Sequence, residues 1–174
     1  MKTFLEICQD VVSDSGLTGD GPSSVTSPGT GIERRIVGWV KQAWLDVQEH
    51  RDFWPWRETD ITVTLEAEKS IYTPAELSIT DLARWRTDAA ILNNGTTDIG
   101  YLDGLPYDLW LKNRLNANIP SEPGIITSRP LDNALVFHPT PAQAYTVSLQ
   151  YQKVPQELAA NTDIPEMPTG GQWS

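Results

Sequence analysis

The stretch from Gly31 to Trp56, GIERRIVGWVKQAWLDVQEHRDFWPW, most constrains what this chain can fold into. Apolar residues recur along it at helical spacing and fall on one arc: Ile32, Ile36, Val40, Ala43 and Val47, with Val37 and Trp44 widening the stripe. Thr30 and Glu33 predict a capping box at its start, and Pro55 disfavours helix at the residue before it. The pattern predicts a helix over 31–54 whose apolar stripe faces a core.

Leu45 interrupts this pattern, because it lies nearly opposite the stripe and among charged residues. A single exposed leucine is ordinary in a soluble protein. A helix that contacts a second partner would show the same feature, so both interpretations stay open.

The first residues of the chain predict another helix, over 3–15. Thr3 and Glu6 have the spacing of a capping box, and Gly16 is a natural stop. Its apolar face consists of Phe4, Cys8, Val11 and Val12. Two helices with one apolar face each can bury those faces against one another, so the Cys8 thiol is expected to be buried.

Two segments lack a regular apolar pattern. Residues 17–30 are rich in Gly, Pro, Ser and Thr, which predicts either a surface loop or a loop that orders on a partner. Residues 154–174 predict an extended C-terminal arm with spaced apolar anchors at Leu158, Ile164, Met167 and Trp173. Both segments are expected to be mobile in an isolated subunit.

After Pro55 the period changes from helical to alternating. Residues 61–65 predict a half-buried strand, and Asn94-Gly95 predicts a hairpin. Residues 106–114 predict a short helix, and three further strands are expected at 124–128, 134–138 and 145–153. The predicted fold is α+β: an N-terminal helical pair at 1–56, an antiparallel β-rich region at 57–153 with one short inserted helix, and the arm at 154–174.

Composition limits the classes of partner. The net charge is −10 and the pI is about 4.5, so the protein repels nucleic acid phosphates on average. The single cysteine excludes an intramolecular disulfide and fits a reducing compartment. No apolar run is long enough to span a bilayer, and acidic residues interrupt the N-terminal stretch where a secretory signal would be apolar.

The sequence carries no pattern typical of an active site. His50, His138 and Cys8 have no spacing typical of a metal site, and no nucleophile elbow or phosphate-binding fingerprint occurs. We therefore expect a protein that is not an enzyme and that binds no cofactor and no metal.

Tryptophan is the unusual residue type here, with seven in the chain and four of them between 39 and 56. Packing between helices and sheet explains such a cluster, and so does a subunit contact, because aromatic residues are enriched at interfaces. The candidate interface residues are Trp39, Leu45, Trp54, Trp56, Leu158, Ile164, Met167 and Trp173.

Several segments in order resemble one protein family. They are FLEICQDVVSDSG at the start, GIERRIVGWVKQAWLDVQEHRDFWPW, TDLARW at 80–85, PYDLW at 106–110, and ALVFHPTPAQAYTVSLQYQKVPQEL at 134–158. Together they resemble the head–tail adaptor, or connector, proteins of tailed bacteriophages, over nearly the whole chain from 3 to 168. None of these segments is a catalytic signature, so the resemblance rests on their co-occurrence and order.

The resemblance implies a structural protein of the virion neck, assembled in the cytoplasm of the host bacterium. Such adaptors form a homo-oligomeric ring, often a dodecamer, between the portal protein and the tail or nozzle proteins. Helices surround a channel through which DNA passes without specific binding, and the β-region faces the periphery or the tail. Related chains are expected to continue in a helical segment where this one reads TGGQWS, so the end that docks on the portal stays open.

Two other functions compete with this one. The first is a non-enzymatic tail accessory protein whose β-domain binds a ligand or glycan. The second is a hydrolase of the bacterial cell wall, which would need a catalytic pair that the sequence does not provide.

Overall fold

The computed structural model describes residues 1–29, 31–51, 54–113 and 119–167. The chain divides into two compact units. The first, called the helical unit, comprises Met1–Trp56 together with Pro155–Ser174; the second, called the β-unit, comprises Arg57–Val154.

The first helix, α1, spans Phe4–Asp14 and begins at the predicted capping box. The Thr3 hydroxyl accepts from the Glu6 backbone N–H at 3.3 Å, and the Glu6 carboxylate accepts from the Thr3 N–H at 2.7 Å. Cys8 is fully buried on the inner face of the helix, as predicted, and burial raises the pKa of its thiol to about 11. A local sequence signal was sufficient here, because the cap and the apolar face both lie within eleven residues.

The second helix, α2, spans Gly31–Glu49 and is shorter than the sequence predicts. The predicted extension to residue 54 is wrong, because the chain leaves the helix and the Trp54 indole donates to the Gln48 carbonyl at 3.1 Å. This bond satisfies one of the carbonyls that a helix end leaves without a partner. A 3₁₀ turn follows at Pro55–Arg57. Thr30, and with it the predicted capping box, lies outside the described residues.

The buried face of α2 is rotated from the predicted one. Ile36, Val37, Trp44 and Gln48 are buried. Ile32 and Val47 were predicted to face the core, but they are 49% and 41% exposed. The apolar stripe is wider than the surface that α1 covers, so one edge of it remains in solvent.

Residues of both segments pack against the helices within the described ranges, and the expected mobility of the segments stays a prediction. Val25 is 4% exposed and Leu158 is 3% exposed, and both join one core cluster with α1 and α2. The Asn161 side-chain oxygen accepts from the Val25 N–H at 2.8 Å, and the Asp163 carbonyl accepts from the Phe4 N–H at 2.7 Å. These partners lie more than a hundred residues apart, so no local pattern reveals them.

The β-unit contains two four-stranded sheets and a short helix. Its elements are β1 (Glu58–Leu65), β2 (Ile71–Tyr72), β3 (Leu82–Asn93), β4 (Asp98–Tyr101), β5 (Asp103–Gly104), α3 (Tyr107–Asn113), β6 (Ile125–Ser128), β7 (Leu135–His138) and β8 (Tyr145–Lys153). The strand orders are β1-β8-β3-β4 and β2-β7-β6-β5. All described pairs in these sheets are antiparallel except β5 with β6. The predicted α+β fold class is confirmed.

Alternating buried and exposed residues along the strands form the core of the β-unit. In β1, Val63 and Leu65 are fully buried while the residues between and beside them are exposed. They join a core cluster with side chains of both sheets, among them Phe137 of β7 and Val147 of β8. The predicted hairpin at Asn94-Gly95 is present, since Gly95 has a φ of 92° in the turn between β3 and β4.

Candidate assembly surface of the helical unit

One edge of the α2 apolar stripe lies in solvent. It consists of Ile32, Trp39, Ala43 and Val47, which we call the α2 apolar edge. Trp39 is its most exposed large residue, at 60%. The four residues are seven, four and four positions apart, so they lie on one face of the helix. A contiguous exposed apolar surface of this kind is typical of a protein–protein contact.

An apolar groove of about 330 Å³ adjoins this edge and shares Ala43 and Val47 with it. Its other lining residues are Ile7 and Val11 of α1, Val40 and Trp44 of α2, and Leu158, Pro165 and Met167 from the end of the chain. The indole N–H of Trp44 is buried and has no acceptor within the described part of the chain. A partner that entered the groove would bury this apolar surface.

Two arginines lie on α2 between Ile32 and Trp39 of the α2 apolar edge. Arg34 and Arg35 are exposed, and neither forms an ion pair with another described residue. Arg35 lies four residues before Trp39 and therefore on the same face of α2. In a chain of net charge −10, these two cations stand out because neither is in an ion pair within the described ranges.

The outer face of α1 has the opposite charge. Glu6, Asp10 and Asp14 are spaced by four residues and form a stripe, which we call the α1 acidic stripe. The backbone N–H and the hydroxyl of Thr3 lower the pKa of Glu6 and keep it ionised. Lys2 is the one described cation paired with the stripe, through Asp10.

The predicted interface residues do not form one surface, because some of them are buried. Trp54 is only 8% exposed; it stacks on Trp56 at a centroid distance of 4.3 Å and has the Arg51 guanidinium 5.0 Å from its ring centroid. Trp56 is half-buried. Leu158 is in the core of the helical unit. Packing within the helical unit explains the burial of Trp54 and Leu158.

The remaining predicted residues differ in exposure. Leu45 is half-buried and is therefore not the freely exposed leucine that its position in the sequence suggests. Ile164 and Met167 are 42% and 41% exposed, and Met167 lines the groove. Trp173 lies outside the described residues. Of the candidates, Trp39 and Met167 lie on the exposed apolar surface.

Ile32 and Val47 belong to this surface although the sequence assigned them to the core. The signal that could have revealed them is the width of the stripe. It extends from Trp39 round to Val37, which is more than one neighbouring helix covers.

A comparison with known families decides what kind of protein carries this surface. The model of the family described as SU10 adaptor protein matches residues 2–171. The chain belongs to the SU10 adaptor protein family. No curated protein matches it.

Membership of the SU10 adaptor protein family makes the chain a structural adaptor of a bacteriophage and a component of the virion, and it confirms the resemblance found in the sequence. Across the described ranges, none of the helices is both long and apolar enough to cross a membrane. The same ranges hold no group of three or more His, Cys, Asp or Glu side chains suited to a metal ion. Adaptors act by contact, so an exposed apolar surface is the feature of interest.

The β-unit of this SU10 adaptor family member also contains a cleft, of about 510 Å³. Trp85, Tyr107 and Thr127 line it together with Arg84. The Thr127 hydroxyl is buried and has no hydrogen-bond partner in the described part of the protein. A ligand of the β-unit, as the alternative function requires, would bind here.

Proposed function

We propose that this adaptor forms a ring beneath the portal vertex, joins the DNA-filled capsid to the tail, and lets DNA pass through its channel. The observation that carries the proposal is the α2 apolar edge, which is continuous with an apolar groove on the same unit. Leaving Ile32, Trp39 and Val47 in water is unfavourable by about 25 cal/mol per Å² of apolar area, and contact with a neighbouring copy removes that cost.

The charge of the protein supports a channel for DNA. A lumen built from copies with a net charge of −10 each repels phosphate, so DNA slides through it without binding. We therefore assign DNA no specific site on this chain. The acidic charge also separates this protein from adaptors that would hold DNA by basic residues.

The partners follow from the position in the virion. A ring at the neck contacts the portal protein on one side and the tail or nozzle proteins on the other, and assembles in the cytoplasm of the host bacterium. We propose twelve copies, as the resemblance implies. Such a ring acts without catalysis and needs no cofactor.

Trp39→Ala tests the assembly surface. Trp39 is mostly exposed, so this substitution is expected to leave the fold intact and to weaken assembly on purified portal rings, measured by sedimentation velocity. Leu131→Ala is the matched control, because Leu131 is 90% exposed but belongs to the β-unit. Normal assembly of Trp39→Ala would remove the α2 apolar edge from the proposal.

The cleft favours one second function, a tail accessory protein with a ligand-binding β-unit. Aromatic side chains and a buried unpaired hydroxyl in one cleft suit a polar ligand with flat apolar faces, such as a sugar. Titration of host cell-surface polysaccharide against the tryptophan fluorescence of the protein separates the two functions. Saturable binding that Thr127→Val weakens would favour the accessory protein.

A further inference from the structure

The α2 apolar edge calls for a partner that carries negative charge. Arg35 and Trp39 lie on one face of α2, one turn apart, and Ile32 lies on the same face. Neither Arg35 nor its neighbour Arg34 has an ion-pair partner among the described residues. An apolar surface flanked by unpaired cations fits an acidic surface better than a neutral or basic one.

The chain itself offers such a surface. The α1 acidic stripe carries three carboxylates against one paired lysine, so most of its charge is uncompensated. The stripe also borders Ile7 and Val11, the apolar groove residues of α1. It therefore combines negative charge with neighbouring apolar contact area, which is the complement of the α2 face.

The two surfaces lie on different helices of the same unit. The buried face of α1 is formed by Phe4, Cys8 and Val12, and that of α2 by residues such as Ile36 and Trp44; these faces share one core. The acidic stripe and the α2 apolar edge lie on other faces of their helices. One copy can therefore present both surfaces at once.

Resting on the ring proposed above, we infer that neighbouring copies meet head to tail, with the α1 acidic stripe of one copy against the α2 apolar edge and Arg34–Arg35 of the next. A contact between two equal α2 faces would place Arg35 of one copy near Arg35 of the other, and like charges disfavour it. Contacts between unlike faces generate rings when the rotation closes. The second copy is therefore the occupant of the α2 apolar edge.

Charge reversal tests this pairing. The first variant, Arg34→Glu with Arg35→Glu, makes the α2 face acidic; the second, Asp10→Lys with Asp14→Lys, makes the α1 stripe basic. The substituted residues lie at exposed or half-exposed positions, so both variants are expected to fold, checked by circular dichroism and thermal melting. Should either fail to fold, the corresponding glutamine and asparagine variants replace it.

Each variant alone is expected to assemble with an affinity reduced by roughly tenfold or more, because like charges then meet at every contact. A one-to-one mixture of the two is expected to restore assembly, because alternating copies bring opposite charges together at both kinds of contact. The fourfold variant in a single chain is expected to restore it as well. Sedimentation velocity at low and high salt, with and without portal rings, measures the assembly of each variant, of the mixture and of the fourfold variant.

Three outcomes would overturn the inference. If both variants assemble as the unmodified protein does, the two surfaces do not meet. If the mixture and the fourfold variant fail to assemble, the contact is not between these two faces. If the arginine variant assembles normally but loses binding to a labelled DNA duplex, the arginines face DNA. Failure of the unmodified protein to assemble even on portal rings would instead contradict the proposed function itself.

Discussion

Gln48 and Gln156 join α2 to the end of the chain through two hydrogen bonds. The Gln48 side-chain N–H₂ donates to the Gln156 carbonyl at 2.9 Å, and the Gln156 backbone N–H donates to the Gln48 side-chain oxygen at 2.8 Å. The Gln156 side chain in turn donates to the Ile164 carbonyl at 2.9 Å and accepts from the Glu166 N–H at 3.0 Å. These bonds explain how a polar segment without a regular pattern is held on the helical unit.

Gln48→Leu is therefore expected to destabilise the protein. Gln48 is 1% exposed, and its loss removes the partners of the N–H and carbonyl of the half-buried Gln156, at a cost of about 1–3 kcal/mol. Urea unfolding of the full chain measures the change. Gln42→Leu on the same helix is the control, because Gln42 is exposed and its side chain donates to the exposed Asp46. This substitution should change stability by about 0.5 kcal/mol or less. Equal effects of the two variants would show that the Gln48 bonds are not important.

The hydrogen bonds of Asp163 predict that the stability of the fold depends on pH. The Asp163 carboxylate accepts from the Ala160 and Ala159 N–H groups at 2.7 and 2.6 Å, which lower its pKa below the ordinary 3.8. A carboxyl whose pKa is lower in the folded state stabilises the fold above about pH 4, and that stabilisation disappears as the pH falls through the folded-state pKa.

Asp163→Asn is expected to be less stable than the unmodified protein at pH 7 and equally stable at the acid end. Thermal melting from pH 2 to pH 7 measures the difference, and Asp20→Asn in the exposed part of the 17–29 loop is the control. A stability difference that stays constant with pH would show that the charge of Asp163 has no part in holding the segment.

The burial of Cys8 predicts that its thiol reacts slowly with thiol reagents. Its side chain is fully buried and its pKa is raised to about 11, so neither access nor the reactive thiolate is available at pH 8. A thiol reagent such as dithionitrobenzoate is expected to label it only on the timescale of unfolding. Ser13→Cys in a Cys8→Ala background, at an exposed position of α1, should react at once. Immediate labelling of Cys8 in the folded protein would contradict the buried position of Cys8 on α1.

Thr127→Val tests whether the β-unit cleft carries an unpaired hydroxyl. Removing a buried hydroxyl that has no partner is expected to leave stability unchanged or to raise it, since its burial without a hydrogen bond costs free energy. Thr73→Val is the control, because the Thr73 hydroxyl bonds Glu76 at 3.1 Å and its loss should destabilise slightly. Marked destabilisation by Thr127→Val, measured by urea unfolding, would mean that the hydroxyl has a partner.

Local signals account for the parts of the fold that the sequence predicted well. The α1 capping box lies within four residues, the β3–β4 hairpin depends on Asn94-Gly95, and alternation identifies β1 and β8. Tertiary partners account for the parts that it did not predict. Gln48 is polar and does not belong to the predicted apolar stripe; in the core it bonds Gln156, more than a hundred residues away.

The exposed apolar surface of α2 differs in part from the predicted one, for a geometric reason. The sequence shows that α2 has a wide apolar stripe, but not which part of the stripe the rest of the unit covers. Leu45 was the expected second-partner residue and is half-buried, whereas Val47 was expected in the core and is exposed. Trp39, which flanks the stripe, is exposed, and its role at an interface stays a prediction.

Electron cryomicroscopy of purified virions, with this chain located in the density, would show directly whether the copies form a ring. We expect a closed ring of copies between the portal and the tail, with Trp39 of each copy covered by the α1 acidic stripe of its neighbour. Finding the chain at a tail fibre or tail tip, or finding Trp39 exposed to the lumen in every copy of a neck ring, would contradict it.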